Sequence, residues 1–501
     1  MNLEYLAMNG WQKFWYKIKI FFIGLPSAFV RVIKGIGKSI AKFFRSVRDF
    51  FVSIITIIKA GDWKTRMSFI IMGTGCFANK QIVRGILYLL VEIGFVLFMA
   101  FFGGYYLSKF GTLGETLGGP IFNEDGIQIG TTTGDNSLII LLYGICSILL
   151  ICIFAFLYFK NIYNAYDNQI RREYSLPIMG AKKDFLQLLD GKFHITLMSL
   201  PSLGVIIFTI LPLIFMVLIA FTSYDKEHLP PGNLFTWVGF DNFIAMFSGG
   251  AGSLGGTFWR VLAWTLTWAV FATATTYIGG LILALMINKK GVKLKKMYRG
   301  FFVITMAVPQ FVTLLVISKF FATDTGLVNK LLVSWGLINT NILWLEDATL
   351  ARIMVIVINM WIGIPYTMLM TSGILMNIPD DLYESARIDG ASKVVSFFKI
   401  TMPYMLFVTG PYLLTQFVGN INNFNVIFLL TGGKPTSPNL LAPAGETDLL
   451  ITWLYNFTVN GDYMDYKMGS VIGILVFVVC AVISLLVYKN MNSVKNEEEF
   501  Q

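Results

Sequence analysis

Residues 378–403 read Ile-Pro-Asp-Asp-Leu-Tyr-Glu-Ser-Ala-Arg-Ile-Asp-Gly-Ala-Ser-Lys-Val-Val-Ser-Phe-Phe-Lys-Ile-Thr-Met-Pro. Pro379 and Asp380 open a short helix, with Asp380 and Asp381 at its positive end. Gly390 supplies the positive-φ residue that ends it. Ser392 caps a second helix predicted to run to about Lys399, and Pro403 opens the next apolar segment. Ser385, Ala386 and Ala391 are small, which lets another backbone approach closely. The segment is therefore a candidate docking knob. A plain connection between two apolar segments is the other reading, and the local physics leaves both open.

The flanks decide the fold class. About 20 helical residues cross a hydrocarbon core of ~30 Å. Eight stretches reach that length: 84–103, 137–159, 198–221, 261–287, 300–321, 353–376, 404–424 and 469–488. The seventh is the most polar, with Gln416, Asn420, Asn422 and Asn423. None shows the ~10-residue alternation of barrel strands. Of 501 residues, 55% are hydrophobic and only 14% charged, and the mean hydropathy is +0.67. Several soluble domains would need roughly 25% charged residues. Composition thus excludes an ordinary cytosolic enzyme, a disordered scaffold and a collagenous chain. It predicts an all-α polytopic membrane protein.

The net charge of +10 has a topological explanation. Residues 1–84, 160–197, 288–299, 377–403 and the tail after 488 together hold 31 Lys and Arg. The intervening segments hold 6, with Lys319 and Arg352 at span ends. The positive-inside rule then places both termini in the cytoplasm. No nucleic-acid partner is needed to explain the charge. Residues 11–60 are too basic for a cleavable signal peptide and lack an uninterrupted apolar run.

The N-terminal region carries a basic amphipathic pattern. Ile33, Ile36, Ile40, Phe43, Phe44, Val47, Phe50, Phe51, Ile54 and Ile58 recur at helical spacing. Lys34, Lys38, Lys42, Arg45 and Arg48 take the other face. One reading lays this helix on the anionic inner leaflet, making membrane lipids a partner. The other packs it on the rest of the cytosolic surface. Gly37-Lys38-Ser39 is not a phosphate loop, because Val32 stands where that motif needs Gly. Cys76, Cys146, Cys152 and Cys480 have no CxxC spacing, and His194 and His228 fall on opposite predicted sides. No metal site is expected.

The 378–403 segment closely resembles the EAA loop of binding-protein-dependent ABC importer permeases. Glu384, Ala386, Asp389, Gly390, Phe398, Ile400 and Pro403 match; Ser385 replaces the middle Ala. The resemblance extends over some 300 residues from about residue 200 and is strongest to the maltose/maltodextrin (MalF-type) branch. Phe221-Thr222-Ser223-Tyr224, Val238-Gly239-Phe240-Asp241-Asn242-Phe243, Ala307-Val308-Pro309, Trp361-Ile362-Gly363-Ile364-Pro365-Tyr366 and the run Ala442–Leu450 carry it. It implies a type I importer permease fold with a core at 198–490. Two accessory spans and a linker fill 83–197, the basic region 1–82 precedes them, and a tail 491–501 follows.

It also implies that Tyr383, Glu384, Ser385, Ala386, Arg387, Asp389, Gly390 and Ala391 form a coupling helix that inserts into an ATPase subunit. The chain would bind no cofactor; ATP and Mg would be used by two partner ATPase subunits. A homologous second permease and an external sugar-binding protein would complete the importer. Loop 222–260 lacks the periplasmic domain of enteric relatives, which fits a lipid-anchored binding protein on a single-membrane bacterium.

Polar residues inside spans are costly in lipid and face a cavity or another helix. Amides suit sugar hydroxyls, and an aromatic ring suits a sugar face. Asn359, Gly363 and Tyr366 share one helix face, as do Asn420 and Asn423. By resemblance these five hold sugar-contacting positions. Gln310 and Gln416 stand where the family example has Ser, and Met306 replaces an aromatic residue. These departures leave the sugar itself open. Amide pairs joining helices are the alternative. Glu92, alone among apolar residues, reads as a structural hydrogen bond or a lining position. Trp259, Trp264 and Trp268 read as an interfacial aromatic anchor. An ion-coupled secondary transporter is the rival function. It would show paired intramembrane carboxylates or inverted repeats, and it leaves the 378–403 loop unexplained.

Overall fold

The structure is a computed structural model that describes residues 35, 37–39, 41–42, 44–122, 128–178, 180–250, 252–289 and 291–490. Ile33, Lys34, Ile36, Ile40 and Phe43 of the amphipathic pattern, and the tail 491–501, lie outside the described residues. Helices dominate. We label the principal ones α1 (44–60), α2 (Ile82–Lys109), α3 (Ser137–Glu173), α4 (Phe193–Ile219) and α5 (Leu254–Asn288). Next come α6 (Lys295–Ala307), α7 (Gln310–Phe320), α8 (Ala348–Leu375) and α9 (Asp380–Ile388). The last are α10 (Lys393–Leu430), α11 (Leu450–Val459) and α12 (Tyr466–Asn490). A two-stranded antiparallel ribbon, β1 (Gly119–Phe122) with β2 (Gln128–Thr132), lies between α2 and α3.

Among the described residues, seven helices are long and apolar enough to cross a membrane, or eight if α6 and α7 form one span. The fifth predicted span, 300–321, is not a straight helix. Its arms α6 and α7 meet at 87°. Pro309 has no N–H to donate and disfavours helical geometry at the preceding residue. Val308 accordingly adopts φ −78°, ψ 125°. The second span also differs, because α3 continues to Glu173 rather than stopping near 159. Asn161, Asn164, Asn168 and Gln169 all find partners there.

The chain forms two compact units. The first comprises residues up to Gly111 and Leu138–Pro212. In it, segment 61–81 folds against α2 and α3. Asp62 caps a helical turn by accepting the Thr65 N–H at 2.8 Å. Glu92 accepts the Met72 N–H at 2.9 Å, and Asn161 accepts the Gly73 N–H at 2.9 Å. Glu92 is thus a structural acceptor for a turn. On α1, the Phe50 ring meets Phe159 edge-on at 4.7 Å, while Phe44, Phe51 and Ile58 remain exposed. The apolar face of α1 is divided between packing and exposure.

The second unit comprises Thr112–Ser137 and the chain from Leu213 onward. Ser253 caps α5 through the Gly256 N–H at 3.2 Å, and Asp347 caps α8 through the Leu350 N–H at 2.8 Å. One core gathers Phe258, Val261, Trp453, Val471 and Ile472; another gathers Trp268, Leu314, Val355 and Val426. The sequence motifs outside the spans brace this core. Asn242 donates to the Ala220 and Thr222 carbonyls at 2.9 and 2.8 Å. Arg352 binds Glu446 at 2.7 Å and covers the Trp264 ring at 4.8 Å.

The three tryptophans do not act together as an interfacial anchor. Trp259 is 56% exposed, but Trp264 is 7% and Trp268 0%. Each buried indole N–H has a carbonyl to reach: Thr447 at 3.1 Å and Asn420 at 3.0 Å. Satisfying that donor inside the protein draws the ring away from the interface.

Asp448, in the segment before α11, is buried and receives bonds from Thr452, Gly445 and Asn456. Burial pushes its carboxyl up to about 6, against those bonds. Its folded form therefore holds more protons than the unfolded chain between about pH 4 and 6, and its contribution to stability falls as pH rises through that window. Thermal unfolding of wild type against Asp448→Asn should show wild type losing ground as pH rises from about 4 to 6.5. A difference that does not change with pH rules this out.

Candidate functional site

Four helices of the second unit, α5, α7, α8 and α10, enclose a cavity of 240 Å³. Gln310, Asn359, Gly363, Tyr366, Gln416, Asn420 and Asn423 all line it. Gln310 reaches the cavity because the Pro309 bend makes it the first residue of α7. Asn423 reaches it because α10 breaks at Asn422 and Asn423. There the Asn423 side chain accepts the Val426 N–H at 3.3 Å, restarting the helix. Asn422 points elsewhere and donates to Cys480 Sγ at 3.6 Å.

These residues do different work. Asn420 is 8% exposed and donates to Thr273 Oγ1 at 2.9 Å. Asn359 donates to Thr276 Oγ1 at 3.5 Å. Asn423 donates to Asn420 Oδ1 at 3.4 Å. Asn420 and Asn359 thus join α10 and α8 to α5 as well as line the cavity, whereas Asn423 bonds within α10, and each amide keeps hydrogen-bonding capacity to spare. Tyr366 is half-exposed, and its ring lies 6.4 Å from Tyr412 at 30°. The pair makes a flat apolar wall beside the amides.

Gly363 lines the cavity and also serves helix packing. A Cβ there would lie 2.5 Å from Thr276 Cγ2. Its missing side chain admits α5 close to α8. Sequence reasoning missed Thr273, Thr276, Tyr277, Thr367 and Tyr412, which also line the cavity. The signal was a run of hydroxyls, Thr273, Thr275, Thr276 and Tyr277, inside an otherwise apolar span. Among the described residues, none that lines the cavity is charged. A second cavity of 370 Å³ lies at the α6–α7 bend and shares Gln310, Ile362 and Tyr366 with the first. Met306 lines it.

The loop after α8 is the other candidate site. Helix α9 ends in Gly390 at φ +78°. The Ala391 N–H reaches the Ala386 carbonyl at 2.8 Å and the Gly390 N–H that of Arg387 at 3.1 Å. This is a Schellman closure. Tyr383 and Thr401 hydroxyls bond at 2.8 Å, fixing α9 to the base of α10. Ser392 caps the next helix through the Val395 N–H at 3.3 Å. That helix does not stop at Lys399. It passes through a π turn, Phe397–Thr401, directly into the span. The turn bonds the Met402 N–H to the Phe397 carbonyl, which shifts the register where Pro403 supplies no N–H. Ile388 is 87% exposed at the tip, and Val394 and Phe398 are also exposed.

Residues 276–493 match the family described as binding-protein-dependent transport system inner membrane component. The galactooligosaccharides transport system permease protein GanP of Bacillus subtilis is 33% identical over 85% of this chain and 97% of its own length. The maltodextrin permease MdxF of the same organism is 34% identical over 86% and 95%. The maltodextrin permease MalC of Streptococcus pneumoniae is 33% identical over 87% and 97%. The chain belongs to the binding-protein-dependent transport system inner membrane component family. This permease is accordingly a multi-pass membrane protein of a transport system, as its apolar helices require.

The permease's amides and aromatics should separate in mutagenesis. Asn420→Ala should lower thermal stability by about 0.6–2 kcal/mol, since it breaks a buried bond between helices. Gln416→Ala and Tyr366→Ala should stay within about 0.5 kcal/mol of wild type. Equal losses in all three, measured by unfolding in detergent, would contradict this division.

Proposed function

We propose that this permease is one transmembrane half of an ATP-driven importer of neutral oligosaccharides, of the maltodextrin or galactooligosaccharide kind. The observation that carries the reading is the uncharged cavity on α5, α7, α8 and α10, where amides and hydroxyls surround an aromatic wall. Such a lining can exchange hydrogen bonds with sugar hydroxyls and lie against a sugar ring. The second cavity at the α6–α7 bend, sharing Gln310 and Tyr366, supports a chain longer than one sugar unit. Relatives named for maltodextrin and galactooligosaccharide transport support the same substrate class.

The chain itself carries out no covalent chemistry in this reading. A homologous permease, two ATPase subunits using ATP and Mg, and an external sugar-binding protein complete the machine. Helix α9 docks on one ATPase subunit. Its exposed Ile388 and the small Ser385 and Ala386 give a surface that a cleft can grip. ATPase closure moves α9, and the Tyr383–Thr401 bond passes that movement to α10, which lines the cavity. The segments where Lys and Arg concentrate, including 288–299 and the 377–403 loop that carries α9, lie in the cytoplasm of a bacterial cell, as do both termini.

Gly390→Pro should remove the Gly390 N–H and the φ +78° turn together. The assembled complex should then lose binding-protein stimulation of its ATPase, and oligosaccharide uptake should fall at least about tenfold. A variant that assembles and retains stimulated ATPase would refute the coupling role. Separately, Tyr366→Ala with Gln416→Ala should reduce uptake while assembly and stability persist. Unchanged uptake kinetics would remove the cavity from the sugar path.

A further inference from the structure

The break in α10 at Asn422 and Asn423 does more than admit a side chain to the cavity. It fixes the direction of a row of hydrogen bonds. A backbone N–H can only donate, so the atom of Asn423 that meets the Val426 N–H at 3.3 Å is Oδ1. The Asn423 NH2 then faces Asn420, whose Oδ1 accepts it at 3.4 Å. That leaves the Asn420 NH2 facing α5, where Thr273 Oγ1 accepts it at 2.9 Å. The two ends of an amide are told apart by the partners they meet. Here one obligatory donor settles both amides in turn.

At the far end of the row, Thr273 has accepted a bond and still holds its own hydrogen. A helical threonine commonly gives that hydrogen to the carbonyl four residues back. Thr265, Thr267 and Thr275 of α5 do so, at 2.7, 2.8 and 2.6 Å. Among the described residues, none accepts the Thr273 hydrogen; its hydroxyl meets only the Asn420 amide. The side chain is partly exposed and lines the cavity. Thr276, three residues on, accepts from Asn359 at 3.5 Å and lies outside this row.

We propose that Thr273 is a specificity-determining donor. The break in α10 makes its oxygen an acceptor toward Asn420 and so commits its hydrogen to an acceptor oxygen of the ligand. A sugar hydroxyl or a glycosidic oxygen fits that position; a group that can only donate does not. Asn423 acts as a positioning residue for this donor, through Asn420. The identity of the ligand rests on the oligosaccharide reading above, whereas the direction of the row does not.

The test uses the assembled importer in proteoliposomes. Its binding protein is saturated with maltotriose or galactotriose, whichever wild type moves faster. Among monodeoxy derivatives of that sugar, wild type should move at least one about fivefold or more slowly than the parent. The deoxyfluoro derivative at the same position accepts but cannot donate, and it should recover part of the rate. Thr273→Val should level the difference between parent and deoxy sugar, and Thr273→Ser should restore it. Full discrimination in Thr273→Val, or a fluoro derivative no better than the deoxy one, overturns the donor role. Thermal unfolding judges the row without any sugar. Asn423→Ser keeps an oxygen to cap Val426 but is too short to reach Asn420 as well. The Tm losses of Asn423→Ser and Thr273→Val should sum to more than the loss in the double variant, whereas those of Asn423→Ser and Thr276→Val should add. Additive losses in the first pair overturn the row. If wild type moves neither sugar, the substrate reading fails and takes the ligand with it, while the unfolding measurement still decides the row.

Discussion

A peptide group in hydrocarbon must find its hydrogen-bond partner within the protein, and this requirement governs where these helices are allowed to break. The second unit breaks a span at three places, each with a local remedy. At Val308 and Pro309 the missing donor is proline's own, and the bend opens onto a cavity rather than lipid. At Asn422 and Asn423 a side-chain oxygen replaces the absent carbonyl partner of Val426. At Phe397–Thr401 a π turn shifts the bonding register just before Pro403. Two of the three breaks deliver residues into the cavity, and the third leads from α9 into a cavity-lining helix. Irregular backbone and cavity coincide, as the need to keep unpaired backbone groups out of hydrocarbon leads one to expect.

The same requirement explains the division of labour among the amides. A side chain such as Asn420 must have partners whether or not a ligand is present, and Thr273 and Asn423 supply them. Its pairing between helices and its place in the cavity wall are thus not competing readings. The bond holds in place an amide that also lines the cavity. Tyr366 and Gln416 are under less constraint and are correspondingly more open.

Much of this was legible in the sequence, for identifiable reasons. Long apolar runs and strictly alternating Lys and Arg specify spans, because lipid tolerates little else. The α9 turn was legible because Gly390 is a positive-φ position with small residues on either side of it. The six polar positions were conspicuous against an apolar background and converge with Gly363 on one cavity. The 87° bend was not legible, because proline within a span predicts a break but not its angle. The burial of Trp264 and Trp268 depended on carbonyls at Thr447 and Asn420, over 150 residues away in sequence. Thr273 and Thr276 were overlooked because threonine can bond its own helix backbone, as Thr275 does to Phe271, and so passes as apolar filler.

Charge is the last constraint to follow through. Among the described residues no charged side chain lines the cavity, whereas Arg352 and Glu446 pair beside the start of α8. A charge at mid-membrane would need a permanent counter-charge, and that ion pair would compete with any neutral ligand for hydrogen bonds. Amides and hydroxyls avoid the problem. They are polar enough to replace water around a neutral polyol, and they leave no net charge exposed when the site empties. An uncharged ligand that binds through many weak, equivalent hydrogen bonds can also be released without breaking a single dominant one. Groups of this kind suit a cavity that binds and releases a neutral ligand better than one strong ion pair does.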